Sequence, residues 1–437
     1  MSLKKNALAT VALTGIAVAV SSAYAAGFQL AEQSAVGQGR AMAGAGIVGD
    51  DLSALHFNAA GMTLLPGTRI QVGGTWIEVN AEYKGVSGAT ENGRYKGQMI
   101  PHGYISHQLN DQTWLGLAMT VPYGMGTEYA QNWEGADKGT EATILTFDFN
   151  PQVAYKVNDF ISVGGGISIQ YARAQLCEGI GPVGVKVKGD SIDWGWNFGV
   201  MIQPTETLRF GLGYRSNVAH DAEGDTTFSG LNAFNPYSGM SGLPTFEFAS
   251  QMKADMDLRL RTPDTIHLSA TWEATQDLRL SGLIRWTKWS NFGVLNIKNQ
   301  FNSMDQMVVS GITGMTGSAI NINHLEVEND WEDSWYFSIG ADYRLNNQWT
   351  VRGGIGYDKD PIHDQTKRMA VIPDTDRLWL SLGTSYKYND NFTFDVGATY
   401  IKGIGDTDLY HKGEAKPFGD YKSLDSVIVA ASMQYRF

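Results

Sequence analysis

Two short clusters of residues have the chemistry to interrupt a hydrogen-bonded strand. Pro101 and Gly103 fall in Ile100-Pro101-His102-Gly103, and Pro122, Tyr123, Gly124 and Gly126 in Val121-Pro122-Tyr123-Gly124-Met125-Gly126. Proline has no N–H to give to a β-ladder, and glycine brings a loose backbone and no side chain. A short polar turn, Asn110-Asp111, separates the clusters, so simple hairpin register sets residue 122 opposite about residue 100. Such a pair marks either a bulge that adjusts curvature or a hole between two strands. A second set is cationic. Arg377, Arg352, Arg344 and Arg285, with Lys298 near a strand end, could receive a carboxylate headgroup or pair with the chain's own acids. Enzymatic and metal chemistry find no such foothold. The eight histidines show no metal spacing, and no G-x-S-x-G nucleophile motif occurs. Gly44-Ala45-Gly46-Ile47-Val48-Gly49 spells a dinucleotide fingerprint, but no strand precedes it. No cofactor, metal or catalytic residue is therefore expected.

The elements that must carry these residues are strands. Apolar and polar residues alternate with period two from about Thr68 to the end of the chain. Fourteen such segments start near residues 68, 98, 113, 141, 160, 191, 208, 252, 278, 332, 349, 377, 392 and 423. Every second connection is tiny and polar, such as Asn158-Asp159 or Asn389-Asp390-Asn391. The connections between them are long, including 177–190, 216–251 and 299–331. Short turns at one end and long loops at the other describe an outer-membrane barrel, as does the even strand count. Trp114, Phe160, Trp272, Trp349, Tyr388 and Phe392 flank short turns, where an interfacial aromatic girdle belongs. The polar faces hold Arg209, Arg215, Arg344, Arg352, Asp358, Lys387 and Asp395, too many charges for a packed core. The apolar faces must then meet lipid while the polar faces line a lumen. On this geometry residue 122 stands roughly 28 Å above the short turn, towards the outer leaflet.

The ends of the chain fit the same compartment. Lys4 and Lys5, an apolar stretch over 7–20 and Ala23-Tyr24-Ala25 read as a signal peptide over 1–25. Residues 26–67 do not alternate and are rich in glycine and alanine, yet they hold Phe28, Leu30, Met42, Leu52, Leu55 and Phe57, which need burial. The nearest concavity is the lumen, so 26–67 is expected to be a hatch folded inside a barrel of residues 68–437. The chain closes on Tyr435-Arg436-Phe437; an aromatic carboxyl terminus is the signal that the outer-membrane assembly machinery reads, which nominates Tyr435 and Phe437. A formal charge of −12 argues against nucleic acid, and a single cysteine excludes a disulfide scaffold.

Several stretches resemble one family. The start Ala26-Gly27-Phe28-Gln29-Leu30, then Gly37-Gln38-Gly39-Arg40-Ala41 and Asp50-Asp51, are similar to the FadL/TodX outer-membrane transporters of long-chain fatty acids and other hydrophobic compounds. So are Asn150-Pro151-Gln152-Val153-Ala154-Tyr155, Tyr171-Ala172-Arg173-Ala174 and Ile372-Pro373-Asp374-Thr375-Asp376-Arg377-Leu378-Trp379. The resemblance implies an all-β, 14-stranded antiparallel transmembrane barrel with an N-terminal hatch. It also implies ligand-gated passive diffusion with lateral release through the wall, and it aligns the family's wall opening with Pro122-Tyr123-Gly124. The hatch matches include Phe28, Gly39 and Arg40. Asn58-Ala59-Ala60 departs from the family's Asn-Pro-Ala, leaving that turn without its proline, and a basic residue expected after Tyr171-Ala172-Arg173-Ala174 falls near Glu178. The expected partners are a hydrophobic small molecule (fatty acid or hydrocarbon), outer-membrane lipid and lipopolysaccharide, and the assembly machinery. The competing reading is a general diffusion porin for small polar solutes, and a barrel-borne enzyme is a third.

Overall fold

The computed structural model describes residues 27–92, 97–180, 183–230, 251–303, 305–306, 323–328, 330–411 and 413–437. The signal-peptide reading of 1–25 lies outside them, as do residue 26, the 231–250 stretch and most of the methionine-rich 299–331 connection.

Fourteen antiparallel strands close into a barrel. They are β1 (Thr68–Gly85), β2 (Gln98–Gln108), β3 (Thr113–Thr120, resuming as Gly124–Glu128), β4 (Glu141–Lys156), β5 (Ile161–Ile180) and β6 (Val183–Thr205). Four two-piece strands or their mates follow: β7 (Leu208–Arg215, Ala219–Ser229), β8 (Gln251–Arg261, Thr265–Glu273), β9 (Leu278–Thr287, Val294–Gln300) and β10 (His324–Glu328, Ser334–Arg344). The wall is completed by β11 (Trp349–Asp358), β12 (Arg377–Lys387), β13 (Phe392–Gly403) and β14 (Gly419–Arg436). Each strand pairs with the next along at least part of its length, and β14 returns to β1 from Arg69↔Arg436 to Gly85↔Gly419, which closes the barrel. Among the described residues no helix is long and apolar enough to cross a membrane.

The faces are inverted relative to a soluble barrel, as the charges on the polar face require. On β11, Val351, Ile355 and Tyr357 point outward and are exposed, while Arg352 and Asp358 are buried inward. This polarity holds only at membrane depth. On the outward face of β6, Trp194, Trp196 and Phe198 give way to Asp190, Lys188 and Lys186, while inward Asn197 gives way to Val187, Val185 and Val183. Above the bilayer the outer face meets water, so the charges move out and the apolar side chains turn in. Val183, Val185, Val187, Met252, Met256, Leu258 and Ile297 thereby form an apolar lining at the external end.

Two expectations are corrected here. The connection 177–190 is largely strand: β5 runs to Ile180 and β6 starts at Val183. Likewise 219–229, which fell inside an expected loop, is the upper half of β7. Both segments alternate in reversed phase, which hides them from a search for lipid-facing residues. The breaks in β7, β8 and β9 meet at Asp264, whose carboxylate accepts from Tyr214 Oη (2.6 Å), Asn217 N (3.0 Å) and Asn291 Nδ2 (2.9 Å).

Residues 27–65 fill the lumen. They contain two single-turn helices, α1 (Ala35–Gln38) and α2 (Ala54–Phe57), and a 3₁₀ turn over Ala59–Leu64. Phe28, Leu30, Val36, Met42, Leu52, Leu55, Phe57 and Met62 are all buried. The segment approaches the wall more closely than side chains would allow. A Cβ on Gly383 would stand 2.6 Å from Gly39 Cα, one on Gly340 2.7 Å from Arg40 O, and one on Gly164 2.7 Å from Ala59 C. These inward-facing glycines form a collar that seats the segment backbone-to-backbone.

Candidate functional site: the plugged lumen and the seam between β2 and β3

The segment is held at its lower end by charge. Arg40 donates to Asp50 (2.6 Å) and Asp342 (3.2 Å), and Arg352 Nε lies 2.7 Å from Asp342. Arg279 joins at 3.5 Å from Asp50 and 2.7 Å from Glu273. Arg40, Asp342 and Arg352 are nearly inaccessible, so removing one partner would strand a buried charge. Nearby, Asp51 accepts from Ser34 and Ser53. Asn58 caps the 3₁₀ turn, its Oδ1 accepting from Ala60 N (3.1 Å) while its Nδ2 donates to Val200 O (3.0 Å). Ala59 is the first residue of that turn, a position where proline and alanine are both at ease. The cap, not the missing proline, fixes this stretch.

The upper end is held differently. Gly27 N donates to Asp374 Oδ2 (2.5 Å), and Asp374 is the ion-pair partner of Arg377. Phe28 enters an aromatic box, with ring centroids 4.8 Å from Trp289, 4.9 Å from Phe292 and 5.9 Å from Tyr123. Gly27 is obligatory there. Its φ is +65°, and a Cβ would stand 2.7 Å from the rings of Trp289 and Trp331. The box belongs to a larger apolar cluster under the external loops that includes Tyr83, Met125, Tyr129, Trp133, Val371 and Ile372. A cavity of about 40 Å³ opens beside it, lined by Ile144, Leu176, Leu258, Phe292, Leu295 and Met369.

Between these ends the wall fails. β2 and β3 pair only from Gln108↔Trp114 up to Gly103↔Met119, whereas β2 continues with β1 to Ile77↔Gln98. Extrapolating the register sets residue 122 opposite residue 100, as the turn at Asn110-Asp111 implies, but no hydrogen bonds are exchanged there. The freed backbone of β3 turns to the N-terminal segment instead. Leu30 N donates to Pro122 O (2.8 Å), Gly124 N to Phe28 O (3.0 Å) and Gln33 Nε2 to Val121 O (2.7 Å). On the other side Tyr123 N donates to Thr146 Oγ1 (3.0 Å), and β3 resumes its pairing with β4 at Gly124↔Leu145. Residues 28–33 therefore act as a strap across the gap. Met99 and Met119 flank it on the lipid side, each about half exposed, and Ile100, Val121 and Leu30 on the inner side.

The cationic candidates separate. Arg285 is buried in the lumen, 3.5 Å from Asp358 and 4.7 Å over the Tyr336 ring. Arg377 is buried beside Asp374 and donates to Thr375 O (3.1 Å). Arg352 serves the lower latch. Arg344 is exposed near a short turn, and Lys298 does not face the lumen at all. It lies on the upper half of β9, where polarity is reversed, so its pleat carries Ile297 inward and Lys298 into water. Tyr435 and Phe437 meet edge-to-face at the rim, centroids 4.7 Å apart, with Phe437 N donating to Thr68 O (3.0 Å). The glycine collar, the strap and the latch escaped the sequence reading. Their signal, glycines on polar faces and paired charges far apart in the chain, names no partner.

A closed barrel with lipid-facing apolar residues, a filled lumen and a sealed lower end is an outer-membrane protein of the plugged type. The family profile described as "Outer membrane protein transport protein (OMPP1/FadL/TodX)" matches residues 16–437, and the chain belongs to this family. It is 28% identical to the "Long-chain fatty acid transport protein" of Escherichia coli O6:H1, across 92% of this chain and 93% of that protein. Its fold is similar to the crystal structure of a Pseudomonas aeruginosa FadL homologue (TM-score 0.78, 22% identity, 94% of this chain and all of that one). The Ralstonia pickettii toluene transporter TbuX is also similar in fold (TM-score 0.68, 17% identity, 92% and 98% covered). The protein resides in the outer membrane.

Proposed function

We propose that this protein carries long-chain fatty acids or related hydrophobic compounds from the cell exterior into the outer membrane, by passive diffusion through the β2–β3 seam. The observation that carries the reading is the end of β2–β3 pairing at Gly103↔Met119, with the strap as its only closure among the described residues. A hydrophobic molecule gains about 0.8 kcal/mol for each CH₂ removed from water. An apolar external lining therefore concentrates it, and the aromatic box around Phe28 offers the next apolar surface. Ligand that inserts between Phe28 and its ring partners loosens the strap, whose release uncovers Pro101, Gly103, Pro122, Tyr123, Gly124 and Gly126 along the gap. The cargo then enters the bilayer sideways, downhill and without energy coupling. The lower latch and the glycine collar keep Gly39, Arg40, Asn58, Ala59 and Ala60 in place and the watery route closed, which disfavours the porin reading. Transport, not catalysis, is the assigned activity. Tyr435 and Phe437 serve the assembly machinery, and lipid and lipopolysaccharide surround the wall.

Uptake of labelled oleate and toluene by cells with and without the protein tests this. A Cβ at Gly124 would stand 3.0 Å from Leu30 Cδ1, so Gly124→Val fills the gap against the strap. Gly124→Val and Pro122→Val should cut uptake severalfold while the barrel still folds. Unchanged uptake removes the seam from the mechanism.

A further inference from the structure

One buried acid has no counterpart. Among the described residues six arginines are buried, Arg40, Arg215, Arg285, Arg352, Arg368 and Arg377, and every one has a carboxylate within 4.0 Å. Eight carboxylates are buried: Glu32, Asp51, Asp148, Asp264, Asp342, Asp358, Asp374 and Asp395. Seven of these have an ion pair or a hydrogen bond, for example Asp395 with Ser385 and Gln434. Glu32 is the exception. It is wholly inaccessible, and neither carboxyl oxygen has a hydrogen-bond partner.

Its position is not incidental. Glu32 lies within the strap, between Leu30, which holds Pro122, and Gln33, which holds Val121. Its backbone oxygen accepts from Thr75 Oγ1 (2.8 Å) on β1, the residue paired with Ile100 of β2. Leu30 and Ala31 belong to the apolar cluster of Ile77, Ile100, Val121, Tyr336 and Trp379. The carboxyl is thus an unbonded polar group at the inner side of the seam, with Leu30 and Ala31 beside it in the apolar cluster and Arg285, Asp358 and Arg377 close enough to act on it only through their charge. Leaving a buried acceptor unpaired costs about 1–3 kcal/mol, more for a charged one, so a native chain that keeps one keeps it for something that arrives.

What arrives follows from the charge census. The interior offers no buried cation that lacks an acid, and it does offer an acid that lacks a donor. We propose that Glu32 is a specificity-determining contact that receives an uncharged, hydrogen-bond-donating headgroup, an alcohol or an undissociated carboxylic acid, on a hydrophobic cargo. An anionic headgroup meets Glu32 as a like group in a low-dielectric site and has to displace an internal carboxylate before it reaches Arg285 or Arg377. This inference rests on the passage reading above and narrows its cargo.

The test uses the full protein purified from outer membranes and reconstituted in lipid nanodiscs, with tryptophan emission reporting binding. The probes share one chain: 1-tetradecanol, tetradecyl methyl ether, which lacks the donor, and tetradecane-1-sulfonate, a permanent anion. The wild type should bind the alcohol about tenfold more tightly than the sulfonate, the factor expected of one buried hydrogen bond. Glu32→Leu should weaken the alcohol about tenfold, leave the ether unchanged and strengthen the sulfonate. Glu32→Gln, which keeps an acceptor without the charge, should retain the alcohol and also strengthen the sulfonate. Equal affinity of the wild type for alcohol and sulfonate overturns the inference. So does a uniform change for all three probes in Glu32→Leu, the mark of a merely structural residue. If a correctly folded barrel binds none of the three, the passage reading fails and takes this inference with it.

Discussion

Adding one methyl group at Gly383 should loosen the lumen segment, whereas adding one at Gly353 should not. Gly383 faces inward on β12, and its Cβ would stand 2.6 Å from Gly39 Cα, with Val396 O at 3.0 Å. Carbon atoms pack at about 3.5–4.0 Å, so Gly39 must retreat by about 1 Å. Gly39 caps α1 and immediately precedes Arg40, whose bonds to Asp50 and Asp342 are 2.6 and 3.2 Å long. A shift of that size breaks the longer bond and stretches the shorter. Overpacking costs about 1–3 kcal/mol, and stranding part of a buried charge network adds to it. Gly353 is one residue from the inward Gly354 and points to lipid, with its nearest neighbour, Leu382 Cδ2, at 3.7 Å. Single-channel recording in planar bilayers reads the difference. Wild type and Gly353→Ala should show no steady conductance, while Gly383→Ala should leak ions and unfold at lower temperature. If Gly383→Ala and Gly353→Ala behave alike, the collar does not seal the lumen.

Three further outcomes follow from particular contacts. Gly27→Ala places a side chain against Trp289 and Trp331 at a φ of +65°, which costs about 1–2 kcal/mol in backbone strain alone; amide exchange over residues 27–33 should accelerate, and unchanged protection would show that the aromatic box does not hold the strap. Arg40→Ala leaves Asp50 and Asp342 with Arg279 and Arg352 only, so it should destabilise by about 3 kcal/mol and raise conductance, whereas Lys387→Ala, whose partner Asp390 is almost fully exposed, should do neither. In the external loop, burial pushes the Asp360 carboxyl up to about 6, with Asp376 adding to the rise and Arg368 opposing it. The folded loop keeps a proton that the unfolded chain releases near 3.8, so loop stability is greatest below that pH, falls as pH rises towards 6 and is level beyond. Exchange over 359–376 should therefore be slower at pH 4 than at pH 6.5, after correction for intrinsic rates, and Asp360→Asn should abolish the difference.

The barrel was legible because lipid and water impose opposite demands on adjacent residues, and Val351-Arg352 or Phe394-Asp395 write that demand directly into the sequence. The end of β2–β3 pairing was legible too, since Pro101 and Pro122 remove ladder donors at positions that the Asn110-Asp111 turn brings level. Reasoning from polarity misplaced Lys298 and the 177–190 stretch for one cause. The rule that polar faces point inward belongs to the bilayer, and no local signal in β6 says where the bilayer ends except Trp194 after Asp190. The strap could not be read at all, because nothing within Phe28-Gln29-Leu30 reveals that its backbone completes a strand some ninety residues away. Glu32 was equally silent, since an unpaired acid is recognisable only when every neighbour is known.

The direct test of sideways release is where cargo touches the protein on its way out. A fatty acid bearing a photoactivatable group at its chain end, supplied to cells and irradiated during uptake, marks the route. Cross-links should concentrate on Met99, Ile100, Met119 and Leu30, and should fall when Gly124→Val fills the gap. Cross-links at the lower rim, around Asn110, Asn158 and Glu206, with the seam residues unmarked, would mean that cargo descends through the lumen and would contradict the account.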